Sequence, residues 1–68
     1  MTKAQRNCRD MARNTTIASI KTSLDVYSVV TGILDGEEYY VSFCGRPTAE
    51  EILESFTHLF MRQMGYED

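Results

Sequence analysis

Cys44-Gly45-Arg46 lies just ahead of Thr48-Ala49-Glu50-Glu51, and this is where nucleophilic chemistry has the best physical basis in the chain. A helix N-terminus and a guanidinium both favour a thiolate over a thiol. A working nucleophile also needs a base and a set of oxyanion donors. His58 is the only imidazole, and no loop of amides surrounds the cysteine, so Cys44 reads better as a small hydrophobe at a strand end and Arg46 as a loop cation. No catalytic residue is assigned, and the chain is expected not to be an enzyme. Metal chemistry is no better supported, because Cys8 and Cys44 lie far apart in sequence and a structural zinc site wants four convergent ligands. No metal or cofactor is therefore expected. His58 is read as a surface or interfacial side chain, and Gly32, Gly36, Gly45 and Gly65 have turn, sheet or cap explanations that leave no phosphate loop.

Binding chemistry is better represented. Lys3, Arg6, Arg9 and Arg13, at spacings of three, three and four, share one helical face able to follow a phosphate backbone. Charge divides sharply along the chain. Up to Leu34, five cations (Lys3, Arg6, Arg9, Arg13, Lys21) against Asp10 and Asp25 leave +3. Beyond it, Arg46 and Arg62 face eight acids (Asp35, Glu37, Glu38, Glu50, Glu51, Glu54, Glu67, Asp68), leaving −6 and a net charge of −3. The two halves either address oppositely charged partners or lie together and neutralise one another. A pI near 5.0 and the lack of a helix-turn-helix or zinc module weigh against nucleic acid as the main ligand.

The elements that must position these residues are legible in the second half. Asp35-Gly36 between two β-rich runs predicts a type I′ hairpin, since both central residues of that turn take positive φ. Pairing Leu34 with Glu37 places Leu34, Gly32, Val30 and Ser28 on one face with Tyr39, Val41 and Phe43, the better core candidate. The opposite face then holds Ile33, Thr31, Val29 and Tyr27 with Glu38, Tyr40, Ser42 and Cys44. Gly45-Arg46-Pro47 ends the strand, and Thr48 with Glu51 forms a capping box. From there Ile52, Leu53, Phe56, Leu59, Phe60 and Met64 recur at helical spacing, and Gly65 is placed to end the helix.

The first half is less explicit. Thr2 and Gln5 make a second capping box for a short helix ending near Asn14, with Ala4, Cys8 and Met11 on one face. Residues 15–24 are rich in β-branched types, and Ala18, Ile20, Thr22 and Leu24 alternate as in a strand, although Ile17, Ile20 and Leu24 also fit a helix. With the strand preferred, the fold class is α+β: one small domain over 1–68, with a three-stranded antiparallel meander between an N-terminal and a C-terminal helix (α-β-β-β-α). Its parts are a basic helix or arm over 1–14, a sheet over 15–45 and an amphipathic helix over 48–64.

Sixty-eight residues hold one marginal core, which oligomerisation or a partner would complete. The 43% hydrophobic content exceeds that of a disordered chain. No apolar run approaches a membrane span or a secretion signal, so the chain is expected to be cytoplasmic with reduced cysteines, and Asn14-Thr15-Thr16 matches a glycosylation acceptor only formally. Compact acidic domains of this kind resemble accessory proteins of bacteriophages and mobile elements, which block or redirect a larger host protein. The stretch from Asp35-Gly36 through Tyr40-Val41-Ser42-Phe43 to Thr48-Ala49-Glu50-Glu51 resembles the strand-turn-strand-helix core of HicB-type antitoxins over under half the chain, without that family's longer third-strand connection.

These readings converge on a protein-interaction module that binds and inhibits or regulates a larger protein through an acidic surface. Its contact residues would be Glu50, Glu51 and Glu54 on the second helix, Asp35, Glu37 and Glu38 at the hairpin tip, and Tyr27 or Tyr40 on the outer sheet face. Tyrosines anchor interfaces because they supply rigid area with a polar tip. Their alternative use is packing beneath the N-terminal helix. A homodimer is a possible assembly, and nucleic-acid binding through Lys3, Arg6, Arg9 and Arg13 is the alternative function.

Overall fold

The computed structural model describes residues 2–24 and 26–66. Its order is α1 (Lys3–Asn14), β1 (Thr16–Ser23), β2 (Tyr27–Leu34), β3 (Glu37–Cys44) and α2 (Ala49–Gln63). The strands form one antiparallel sheet in the order β1-β2-β3. Both capping boxes form. The Thr2 and Thr48 hydroxyls accept from the amides of Gln5 and Glu51, and those two side chains accept in return from the amides of Thr2 and Thr48. Four amides that no helical carbonyl can reach are thereby satisfied. At the far end of α2, Gly65 takes φ +78° and donates to the Arg62 carbonyl, while Tyr66 donates to that of Met61. This 6→1 and 5→2 pair is a Schellman motif, which requires the left-handed residue that glycine supplies without strain.

The hairpin matches its predicted register. Leu34 pairs with Glu37, and Asp35 and Gly36 both have positive φ, +53° and +81°. Along β2 the inner residues Ser28, Val30 and Gly32 are buried, and on β3 Tyr39, Val41 and Phe43 face the same core. Gly32 has a packing reason. A Cβ there would lie 2.5 Å from the Thr15 Cγ2 and 2.7 Å from the Phe56 Cζ, so the strand gives up a side chain to let two others reach the backbone.

Residues 16–23 are a strand, with one correction to the expected alternation. Ile17 pairs with Gly32 and Ser19 with Thr31, so the register shifts by one residue across Ala18. This β-bulge brings Ile17 and Ile20, three apart, to the side of Gly32 and Val30 and removes Ala18 from the series. The same insertion explains why the segment also fitted a helical spacing.

Both helices contribute to a single core with the inner face of the sheet. Cys8, Ala12, Val30, Phe56, Phe60 and Met61 are its buried apolar residues. Phe60 meets Tyr39 edge-on at 5.0 Å and lies nearly parallel to Phe56 at 6.3 Å. The Cys8 thiol donates to the Met64 thioether at 3.9 Å, while Thr15 and Phe56 meet at Gly32, so α1 and α2 run antiparallel. Burial pushes the Cys8 thiol pKa up, which keeps it protonated.

Candidate binding surface

With both helices in one layer, the outer face of the sheet has no cover among the described residues. Tyr27 and Tyr40 are 48% and 58% exposed. The expectation that they pack beneath the N-terminal helix is therefore corrected. The small face of α1, made by Cys8 and Ala12, joins the core on the other side of the sheet. Between the two rings lie Val29, Thr31 and Ile33, each partly accessible. Tyr40 stands opposite Thr31, four residues along from Tyr27, so the rings are roughly 13 Å apart along the strands.

Each ring is held by its hydroxyl. Tyr27 and Ser42 share a hydrogen bond of 3.1 Å across the strands, and Tyr40 donates to the Glu38 carboxylate at 2.5 Å. On the inner face Tyr39 donates to Glu37 at 2.9 Å. The hairpin acids are thus positioned by neighbouring rings. Hydrogen bonding to Glu38, then its charge, raises the Tyr40 pKa, and Glu37 acts in the same way on Tyr39.

The fold brings together only some of the residues the sequence nominated. Tyr27, Tyr40 and Glu38 share the outer face, Asp35 lies in the hairpin turn, and Glu37 is on the inner face with Tyr39. Glu50, Glu51 and Glu54 lie in the helix layer, beginning where β3 ends, about 24 Å from the hairpin tip along an eight-residue strand. Glu51 is also engaged in the Thr48 cap. The acids therefore form two separate groups. On α1, Lys3, Arg6 and Arg13 are exposed, whereas Arg9 is partly covered, with its Nε buried and unpartnered. Arg13 lies 3.8 Å from Asp10 of the same helix. The two helices pack side by side, and among the described residues no ion pair joins this stripe to the α2 acids.

Around Cys44 the groups that would activate a thiol have other uses. Cys44 is exposed on the outer face beside Tyr27. The Gly45 amide donates to the Val26 carbonyl at 2.8 Å, the Gly45 carbonyl accepts from the buried Ser28 hydroxyl at 2.6 Å, and the first turn of α2 is capped by its own glutamate. Among the described residues no group of three or more His, Cys, Asp or Glu side chains is placed to hold a metal, and no helix is long and apolar enough to cross a membrane.

One feature escaped the sequence reading. A shallow groove of about 410 Å³ runs between β3 and α2, lined by Tyr40, Val41, Ser42, Ser55, His58, Leu59 and Arg62. The helical contributors recur at three and four residues, the only signal the sequence held of it. His58 is exposed there, as expected of a surface histidine. Comparison with protein-family models, curated proteins and solved structures finds no match to this chain. Its surface must carry the functional argument.

Proposed function

We propose that this protein is a non-enzymatic binding module that uses the outer face of its sheet to engage a larger protein and occlude or regulate it, in the manner of phage and mobile-element accessory proteins. The observation that supports this is the exposure of Tyr27 and Tyr40 on a face with no covering layer. A ring ordered by its hydroxyl partner loses little further freedom on binding, so its apolar area contributes with a small entropic cost. Glu38 at one end of that face, with Asp35 and Glu37 at the hairpin beside it, steers it toward a basic patch, which affects association rate more than affinity. The α2 acids Glu50, Glu51 and Glu54 extend the negative field from a separate end and add to steering without sharing the contact.

The test is affinity capture from native lysate with wild-type protein, the double variant Tyr27→Ala/Tyr40→Ala, and charge reversal of Glu37 and Glu38. A protein retained by the wild type, lost with the tyrosine variant and weakened by charge reversal or rising salt supports the reading. Equal retention by all three overturns it.

A second reading rests on Lys3, Arg6 and Arg13, which are exposed and, among the described residues, have no acidic partner outside their own helix. Nucleic-acid binding through this stripe and Arg9 predicts a retarded species with mixed duplex and single strands at low salt, abolished by Arg6→Glu/Arg13→Glu. No retardation at micromolar protein removes it.

A further inference from the structure

The two edges of the sheet are differently finished. β3 has α2 alongside it, with the groove between them. Among the described residues nothing covers the free edge of β1, and every residue of it except Ser19 is exposed. Ile17 and Ile20 lie toward the helix side, where α2 and the inner face of β2 and β3 make the core, yet Ile20 remains 52% exposed. Leu24, 93% exposed and held at φ +52°, and the exposed Val26 follow at the strand end. Four large apolar side chains thus sit at one margin of a domain whose own core contains six buried apolar residues. A long uncovered edge beside apolar surface is a template for another strand.

We propose that the occupant of this edge is a second copy of the same chain, whose β1 pairs antiparallel with this one about a two-fold axis to give a six-stranded sheet. Three observations select a copy of itself. In an antiparallel ladder, residues alternate in which edge their backbone groups serve. Ser19, Lys21 and Ser23 stand opposite Thr31, Val29 and Tyr27, the β2 residues whose backbone groups turn away from β3 when a two-residue hairpin closes at Leu34 and Glu37. The free edge is therefore presented by Ile20 and Thr22. Centring the two-fold on Ile20 pairs Ile20 with Ile20 and Thr22 with Ala18 of the other copy, so the regular ladder covers residues 18–22 and ends at the bulge.

That register also settles the charges. Lys21, the one charged residue of β1, faces Ser19 of the other copy instead of another Lys21, and no acid lies on the strand to oppose or misdirect the pairing. The third observation is size. A stable interface takes about 800 Å² from each partner, roughly one-sixth of the 4804 Å² surface of this chain. The eight-residue strand β1, exposed at every position but Ser19, together with Leu24 and Val26 is the surface offered toward it. Antiparallel edge pairing keeps the helices of both copies on one side of the enlarged sheet, so the two Ile20 side chains meet on that side. The outer face stays open in both copies, and the module proposed above becomes bivalent.

Sedimentation equilibrium or light scattering over a micromolar concentration series reads the outcome. Wild-type protein is expected at twice the protomer mass. Ile20→Lys should run as a monomer with unchanged far-ultraviolet circular dichroism, because its side chain is already half exposed. In a Cys44→Ser background, Ile20→Cys should form a disulfide-linked dimer under mild oxidation, since directly opposed residues about 5.5 Å apart at Cα fall within disulfide range, while Ser23→Cys should not. A wild-type protein that stays monomeric at the highest concentration overturns the proposal, as does a dimer that persists in Ile20→Lys or cross-links equally through Ser23→Cys. A dimer lost in Tyr27→Ala/Tyr40→Ala but kept in Ile20→Lys would place self-association on the outer face and also overturn it. Because those tyrosine variants leave β1 intact, failure of the edge and failure of the outer-face reading are separable.

Discussion

The two faces of the sheet are built from the same strands, often from adjacent residues, and yet they are finished for opposite purposes. Inward, β2 offers Ser28, Val30 and Gly32, and this small set lets Phe56 and Phe60 come close to the backbone. Outward, the same strand and its neighbour offer Tyr27, Val29, Thr31, Ile33 and Tyr40, larger in total and without cover among the described residues. On β2 alone the larger side chains are thus on the accessible side, while β3 supplies the inner bulk with Tyr39, Val41 and Phe43. A face meant only for solvent has no physical need of two ordered tyrosines, whereas a face meant for contact does.

The contrast breaks most easily on the inner side. Phe56→Ala should lower unfolding free energy by about 3–5 kcal/mol in denaturant titration, through lost transfer energy and the cavity left behind. Gly32→Val should cost at least about 1–3 kcal/mol, since its side chain would enter space held by Thr15 and Phe56. If either is tolerated without loss, the inner face is not the tightly packed one. Thr48→Ala should cost about 1 kcal/mol by removing one half of the α2 capping box. Tyr27→Ala/Tyr40→Ala, although it deletes more atoms than Gly32→Val adds, should change stability by only about 1 kcal/mol or less. A larger loss would mean that the outer face serves folding.

Alkaline titration sharpens the comparison at the smallest scale. Tyr39 and Tyr40 should ionise above the ordinary tyrosine range, because each hydroxyl donates to a carboxylate. Protonated hydroxyls bind more tightly in the folded state, so this contribution is present below the unfolded tyrosine pKa and is lost as pH rises through the raised folded values. Glu38→Gln should bring the ultraviolet titration of Tyr40 down, and an unchanged curve would exclude the Tyr40–Glu38 bond in solution.

What the sequence made legible was local. The hairpin register, both capping boxes, the end of α2 at Gly65 and the membership of each sheet face all follow from neighbours within four residues, where backbone geometry leaves few choices. What it obscured depended on distant chain. The bulge at Ala18 disguised β1, because one inserted residue turns a two-residue alternation into a spacing of three between Ile17 and Ile20. The separation of Glu38 from Glu54 was already implied by chain order, because β3 carries the chain away from the hairpin tip before α2 begins; charge composition alone grouped them. The exposure of Tyr27 and Tyr40 was decided by which side α1 joined, and that was fixed by the small residues Cys8 and Ala12 meeting α2. Cys44 had a suggestive address, but its neighbouring amide was already committed to Val26.

The Ser28 hydroxyl has a further consequence. It is fully buried, shares a 3.1 Å hydrogen bond with Thr22 and donates to the Gly45 carbonyl, while the Gly45 amide returns to Val26. Three segments distant in sequence are thus riveted at the end of the molecule away from the hairpin. Deuterium uptake at the Gly45 amide accordingly reads how often the end of the last strand parts from the turn between the first two.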